Sequence, residues 1–155
     1  MTKIYSRLIR IDNKIIYYLN KAYIPLARLS IFLIFFWFGL IKLLGVSPAS
    51  PLAIELTTKT VGMEYFDTLF IILAIFECIV GLLFLLPKAT RVVIPLLFFH
   101  MAIVCSPLLI TPKITWQSAF VPTLEGQYII KNAVVVAVAI GIAASTVPMK
   151  KKTDL

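Results

Sequence analysis

The sequence predicts an all-α integral membrane protein: an antiparallel bundle of four transmembrane helices, preceded by an amphipathic helix in the membrane interface. Apolar residues make up 61% of the 155 residues and charged residues 14%, against about 45–50% and 25% in soluble domains. The surplus lies in four long runs, which a soluble domain of this length could not bury. Basic residues flank the runs, so orientation in the membrane explains the net charge of +8 better than nucleic-acid binding does.

Residues 1–23 have the pattern of a basic amphipathic helix. At about 100° per residue, basic side chains share one narrow face and apolar side chains share another. The basic face contains Lys3, Arg7, Arg10, Lys14 and Lys21. The apolar face contains Ile4, Leu8, Ile11, Ile15 and Leu19. Such a helix lies among lipid headgroups, where anionic lipids attract it. Packing against the cytosolic domain of a partner is the alternative.

Four apolar segments have the length that crosses a hydrocarbon layer of about 30 Å. We predict spans at about residues 24–44, 68–86, 92–110 and 128–147. Pro25 fits the first turn of the first span, and Arg28 can extend back to the cytosolic interface. A cleaved signal peptide is disfavoured, because roughly 28 residues precede an apolar stretch longer than the usual 7–15.

The connections between the spans are polar. The VSPASP cluster breaks the chain after the first span, and residues 52–66 can form a short helix on the outer surface. Trp116 precedes the last span and is typical of an anchor at the interface. Residues 148–155 are predicted to form a basic tail.

The distribution of Lys and Arg predicts that both termini are cytoplasmic. The N-terminal segment with Arg28, the second connection and residues 148–155 hold six, two and three of them. The first and third connections, with their span ends, hold four. Because cytoplasmic segments carry the excess of basic residues, we expect a multi-pass protein with its N and C termini inside.

Each span contributes one ionisable group at its centre or in its outer half. Glu77 lies near mid-depth, His100 at a similar depth, and Lys42 and Lys131 about one turn inside the outer ends. A charge in hydrocarbon costs about 2.5–3.5 kcal/mol on insertion scales, so such groups face the bundle interior and find partners. We predict that Glu77 meets Lys42, Lys131 or both in a polar pocket open to the outer side. Further hydrogen bonds come from His100, Asn132 and Gln127.

These ionisable residues are also compatible with purely structural roles. Glu77 can form a structural pair with one lysine, or it can be protonated and need no cation. His100 can be a core side chain whose hydrogen bonds are made within the protein, and each lysine alone can extend to the interface. Four glycines are interpreted as close-packing or turn positions: Gly39, Gly81, Gly126 and Gly141.

Catalytic and metal-binding motifs are not recognisable. The sequence has no Ser-His-Asp set, no H-E-x-x-H and no glycine-rich phosphate loop. Cys78 and Cys105 each lie in an apolar run, without C-x-x-C spacing, and are interpreted as small buried side chains. A single histidine cannot provide both ligands of a two-histidine haem site. We therefore expect no metal site and no encoded cofactor.

Three segments carry a resemblance to a known family. They are FFWFGLIKLL at residues 35–44, IFECIVGLLFLLP at residues 75–87 and EGQYIIKN at residues 125–132. Over about residues 28–142 the chain resembles the YkgB/RclC group of bacterial inner-membrane proteins, relatives of the DoxX family. Asn132 stands where that pattern has an aspartate. The resemblance implies a four-helix protein of the bacterial inner membrane, a link to oxidative stress, and a quinone as a possible cofactor.

Together these features predict a stress-related membrane protein of YkgB/DoxX type. It would bind a small ligand or quinone in the outer-facing pocket and have no catalytic activity of its own. Any electron chemistry would belong to the ligand or to a redox partner. Membrane lipids, that partner protein or a second copy are the expected partners, and nucleic acid is not. A small proton-coupled transporter that uses Glu77 and a membrane scaffold without a ligand are the alternatives.

Overall fold

The structure is a computed structural model that describes residues 2–147, with side chains from residue 5 onward. The basic tail predicted at residues 148–155 lies outside this range. Seven α-helices occupy most of the described chain: α1 Thr2–Leu43, α2 Ser50–Thr60, α3 Phe66–Phe84, α4 Thr90–Cys105, α5 Pro107–Ile110, α6 Pro112–Thr115 and α7 Leu124–Ala144. Short 3₁₀ turns, Met63–Tyr65 and Pro87–Ala89, precede α3 and α4. The strands β1 Trp116–Ser118 and β2 Val121–Pro122 form a small antiparallel hairpin.

Within residues 2–147, four helical segments are long and apolar enough to cross a membrane. They are Tyr5–Leu43, Met63–Phe84, Pro87–Ile110 and Leu124–Ala144. Each includes most of one predicted span, so the prediction of an all-α, multi-pass membrane protein is confirmed at this level. The hairpin was not predicted, because strands of two and three residues leave no periodicity to detect.

The N-terminal segment and the first span form one continuous helix. α1 runs from Thr2 to Leu43 with Pro25 in its interior, so the predicted helix start beside Pro25 is wrong. Proline removes one backbone hydrogen bond, but the chain on either side of it consists of strong helix formers and apolar residues that continue the helix. The basic amphipathic segment and the first span are therefore parts of the same helix.

α1 and α3 form the most extensive helix contact and run antiparallel. A Cβ added to Gly39 would lie 2.7 Å from the Ala74 carbonyl oxygen and 2.7 Å from the Cys78 sulfur. A Cβ added to Gly81 would lie 2.8 Å from the Phe36 amide nitrogen. Neither position has room for a larger side chain, so the backbones approach closely, as small residues allow in membrane helices. This confirms the close-packing role predicted for both glycines.

The remaining contacts connect α4 and α7 to this pair. α3 packs on α4, α4 packs on α7, and α7 packs on α1. The side chains buried between these helices form one apolar cluster, whose fully buried members include Ile31, Val80, Phe84, Leu97 and Ile142. The outward-facing side chains of the same helices are large and apolar, which is the pattern expected where lipid replaces water.

Arg28 joins three helices at one end of the molecule. Its guanidinium donates to the Phe84 carbonyl oxygen at 3.1 Å and to the Thr90 hydroxyl at 2.6 Å. The side chain is buried, with 9% of the residue exposed, and it extends toward the turn between α3 and α4; its position relative to the membrane interface stays a prediction. Both of these acceptors lie at the turn between α3 and α4, so the guanidinium makes its hydrogen bonds inside the protein. At the same end, Arg91 donates to the carbonyl oxygen of Val147 at 2.6 Å.

At the opposite end, the connection between α4 and α7 is held by its own hydrogen bonds. The Trp116 indole donates to the Leu108 carbonyl oxygen at 3.0 Å. The Thr123 hydroxyl donates to the Ile114 carbonyl oxygen at 2.5 Å and accepts from the Gly126 amide at 3.1 Å, which caps the start of α7. Trp116 is thus engaged within the loop, and its role as an interfacial anchor stays a prediction.

We predict that Gly39→Val weakens the contact between α1 and α3. The added methyl groups would overlap backbone and sulfur atoms of α3, and overpacking of this kind costs about 1–3 kcal/mol. The midpoint of unfolding in mixed micelles should fall accordingly. Ala137→Val, on an exposed position of α7, is the matched control and should leave the midpoint unchanged. Equal midpoints for the two variants would contradict the close approach.

Candidate functional site

Lys42 and Glu77 form a buried ion pair between α1 and α3. Lys42 lies in the last turn of α1 and Glu77 in the middle of α3. The Lys42 Nζ atom lies 2.5 Å from Glu77 Oε2, and the two side chains are 9% and 7% exposed. The close packing at Gly39 brings the two helices near enough for this contact. The structure therefore confirms that Lys42 reaches Glu77.

His100 completes the cluster from α4. Its Nε2 atom lies 3.4 Å from the other carboxylate oxygen of Glu77. The imidazole stacks on the Phe76 ring with a centroid distance of 5.7 Å and meets the edge of the Phe35 ring at 5.3 Å. The side chain is 3% exposed, and its Nδ1 atom has no hydrogen-bond partner among the described residues. His100 is therefore a core side chain with one unsatisfied polar atom.

The geometry favours an ionised carboxylate at Glu77. A lysine nitrogen at 2.5 Å from the oxygen is an opposite charge close enough to favour the charged form of the carboxylate. One positive and one negative side chain leave the cluster neutral, which lowers the cost of placing it in hydrocarbon. The alternative of a protonated Glu77 would leave the Lys42 charge buried without compensation.

A cavity of about 330 Å³, open on one side, lies beside the cluster, and some of its lining side chains are exposed, among them Ile72 and Phe99. Its walls come mainly from α2, α3 and the second half of α4, and they include Ala53, Thr57, Leu73, Phe76, Phe99 and His100. The lining is predominantly apolar, and Glu77 and Lys42 are not part of it. The structure thus differs from the predicted polar pocket around Glu77: the cavity is apolar, and His100 connects it to the ion pair.

The other predicted site residues are not partners of Glu77. Lys131 is exposed, and its Nζ atom lies 4.7 Å from the centroid of the Tyr128 ring. Gln127 is exposed and Asn132 is half-buried, on the same helix. α7 buries Ile129, and a residue two positions later lies about 200° around the helix. Lys131 therefore faces away from the interior, which is why it does not join the cluster.

Helix α2 was not identified from the sequence as a wall of the site. Ala53, Leu56, Thr57 and Thr60 all line the cavity. Their spacing of i, i+3, i+4 and i+7 is that of one helix face, so the periodic signal was present. It was missed because the face is short and half polar, which is also typical of a solvated surface helix.

Metal chemistry has no support in the described residues. No group of three or more His, Cys, Asp or Glu side chains lies close enough to hold an ion there. Cys78 and Cys105 are free thiols, and the Cys78 sulfur lies 3.8 Å from the Phe36 carbonyl oxygen. The cavity beside the cluster has room for a small apolar molecule.

Comparison with known proteins does not identify the chain. No family model matches it, and no curated protein or solved structure shows significant similarity to it. The class of protein is therefore defined by the structure alone: an all-α membrane protein with a buried Lys-Glu-His cluster beside an apolar cavity.

We predict that loss of one member of the ion pair destabilises the fold more than loss of both. Lys42→Met or Glu77→Leu alone should cost about 3–5 kcal/mol, since each leaves a buried charge without a partner. The double variant should recover much of this loss in an unfolding titration in mixed micelles. The matched control is the exposed pair of Lys59 and Glu55, in which Nζ lies 2.8 Å from Oε1. Removal of this pair should have little effect on the free energy of unfolding. Additive losses at Lys42 and Glu77 would show that the pair is not coupled.

Proposed function

We propose that the chain is an antiparallel four-helix bundle in the bacterial inner membrane, with both termini in the cytoplasm. The contacts of Arg28 and Arg91 support this arrangement, because they gather the α3–α4 turn and the end of α7 at one end of the molecule. That end also carries most of the basic residues of the sequence, as the cytoplasmic side does. Lys42, α2 and the hairpin then lie at the outer end.

We propose that the N-terminal part of α1 contacts the lipid headgroups. Its apolar side chains are exposed, for example Leu8 at 58% and Ile15 at 52%, and no described part of the chain covers them. Insertion of this face into anionic lipid would bury it and pair the opposite basic face with headgroups. Pro25 gives the helix a point at which it can bend from the interface into the span.

We propose that the protein binds a small apolar ligand, such as a quinone, in the outer-facing cavity under α2. The observation that carries this proposal is a cavity of about 330 Å³ whose lining includes His100, the side chain that also contacts Glu77. Ligand sites are typically apolar cavities of about 300–1,000 Å³ with few polar groups. Phe76 and Phe99 can stack on a flat ring. The resemblance to the YkgB/DoxX group supports a role in oxidative stress, with the protein as an accessory to a redox partner.

A membrane scaffold is the second candidate function. The short contact between Lys42 and Glu77 supports it, because a tight buried pair can serve helix association alone. A scaffold gives no reason for a cavity next to the pair. Proton-coupled transport through Glu77 stays a prediction. Both oxygens of its carboxylate face partners inside the protein.

The proposed orientation predicts the result of a reporter fusion. Green fluorescent protein attached at the C-terminus should fluoresce, because it folds in the cytoplasm. Alkaline phosphatase inserted after Val46, in the first connection, should be active, because it folds outside. The reverse pattern would contradict the assignment of both termini to the cytoplasm.

The binding proposal predicts that filling the cavity removes protection against oxidants. Ala53→Phe places a ring in the cavity and should abolish both a co-purifying small molecule, detected by mass spectrometry, and survival in hypochlorous acid. Glu77→Gln should also lose protection, because it releases Lys42 and His100 from their shared partner.

Ala133→Phe is the matched control, because Ala133 is exposed on α7 and does not line the cavity. It should bind and protect like the wild type. If Ala53→Phe folds, inserts and protects cells normally, the cavity is not the functional site and the scaffold is the better account.

A further inference from the structure

We infer that the occupant of the cavity is an amphiphile dissolved in the bilayer, with a compact head inside the cavity and one long hydrocarbon chain that passes out between α3 and α4 into the lipid. The inference rests on the proposed function and narrows the ligand to a chemical class. It follows from where the cavity opens.

The opening lies on the outward-facing surface of two candidate spans. Five large apolar side chains line the cavity and are also exposed: Val61, Leu69, Ile72, Phe99 and Ile103. All but Val61 belong to the candidate spans Met63–Phe84 and Pro87–Ile110. The open side of the cavity is therefore bordered by apolar side chains of membrane-crossing helices, which lipid surrounds.

Ile72 and Phe99 place the inner part of this opening at the middle of the two spans. Ile72 lies nine residues from the start and twelve from the end of Met63–Phe84. Phe99 lies twelve residues from the start and eleven from the end of Pro87–Ile110. At about 1.5 Å per residue, both are roughly 14–18 Å from either end of their span. Because the hydrocarbon layer is about 30 Å thick, this part of the opening faces acyl chains.

Two threonines supply hydroxyl groups at the α2 end of the cavity. Thr57 and Thr60 both belong to its lining, and α2 ends directly before the span Met63–Phe84. Thr60 donates to the Leu56 carbonyl oxygen at 2.8 Å, but its oxygen can still accept a hydrogen bond. The cavity thus runs from hydroxyl groups near the end of a span to apolar side chains at mid-depth, which is the polarity of an amphiphile.

The size of the cavity limits the head of the ligand and not its chain. A volume of about 330 Å³ is near the lower end of the range of about 300–1,000 Å³ for ligand sites. A single ring fits this space, whereas a ring together with a long chain would overfill it. Since the cavity is open beside Ile72 and Phe99, the chain can continue into the bilayer. A water-soluble ligand would have to cross hydrocarbon to reach this opening.

Two probes that differ only in chain length test the inference: trimethylbenzoquinones that bear a butyl or a dodecyl chain. Their rings are fully substituted, so neither has an open position for a cysteine thiol. With the full chain in lipid nanodiscs and concentrations expressed per lipid, the two should bind within about threefold of each other, because the chain lies in lipid before and after binding. An opening to water would weaken the dodecyl probe more than a thousandfold, since each CH₂ group moved from lipid to water costs about a factor of four. That result, or exclusion of the dodecyl probe, would overturn the inference.

Fluorescence quenching locates the chain of the bound probe. In a Trp37→Phe background, Phe99→Trp places an indole at the opening, and Val134→Trp places one on the exposed surface in the middle of α7, away from the cavity. A dodecyl probe with bromine atoms on its chain should quench the first indole saturably, with the same midpoint as binding. It should quench the second only in proportion to its concentration in the lipid. Ala53→Phe combined with Phe99→Trp should remove the saturable part.

The outcomes separate this inference from the proposed function. Binding of both probes without saturable quenching in Phe99→Trp would leave the cavity a ligand site and overturn the position of the chain. The native molecule lost in Ala53→Phe should have one long hydrocarbon chain, and a phospholipid or a water-soluble compound in its place would overturn the class. If neither probe binds and Ala53→Phe loses no molecule, the ligand-binding proposal fails, and the inference with it.

Discussion

The contact between Lys42 and Glu77 constrains the rest of the structure. A carboxylate in the middle of a membrane helix is stable only if a cation reaches it, and here the cation comes from the last turn of α1. Gly39 lies three residues before Lys42 and Gly81 four residues after Glu77, so each glycine shares a helix face with its charged neighbour. The same face thus provides both the close approach of the backbones and the charges that the approach must bring together.

Different polar contacts stabilise the two ends of the molecule. At one end Arg28 is satisfied by a backbone carbonyl and the Thr90 hydroxyl, which closes the turn between α3 and α4. At the other end Lys42 forms an ion pair with Glu77, and α2 covers the adjacent gap between α3 and α4. The first end is closed by hydrogen bonds, whereas the second retains a cavity. This asymmetry is consistent with the proposed binding site at the end that holds Lys42.

The position of a group along its helix could be predicted from the sequence, because it follows from counting residues. This is why the spans, the pairing of Lys42 with Glu77 and the nearness of His100 were anticipated. The direction of a side chain around its helix depends on which neighbours pack, and the sequence does not fix it for α7. Lys131 lies at the predicted level along α7, but its side chain points away from the interior. The prediction that a helix starts at Pro25 was wrong. Proline is only preferred in the first helical turn, and the residues on both sides of it also favour a helix.

The direct test of this account is the distance between the Lys42 nitrogen and the Glu77 carboxyl carbon in a lipid bilayer. Solid-state magnetic resonance on a chain with labelled lysine nitrogen and glutamate carboxyl carbon measures it. Glu55→Gln in the same chain removes the signal of the exposed pair at 2.8 Å. The account predicts a strong dipolar coupling, as expected for a nitrogen 2.5 Å from a carboxylate oxygen, and its loss in Lys42→Met. A chain that folds in the bilayer without this coupling would contradict it.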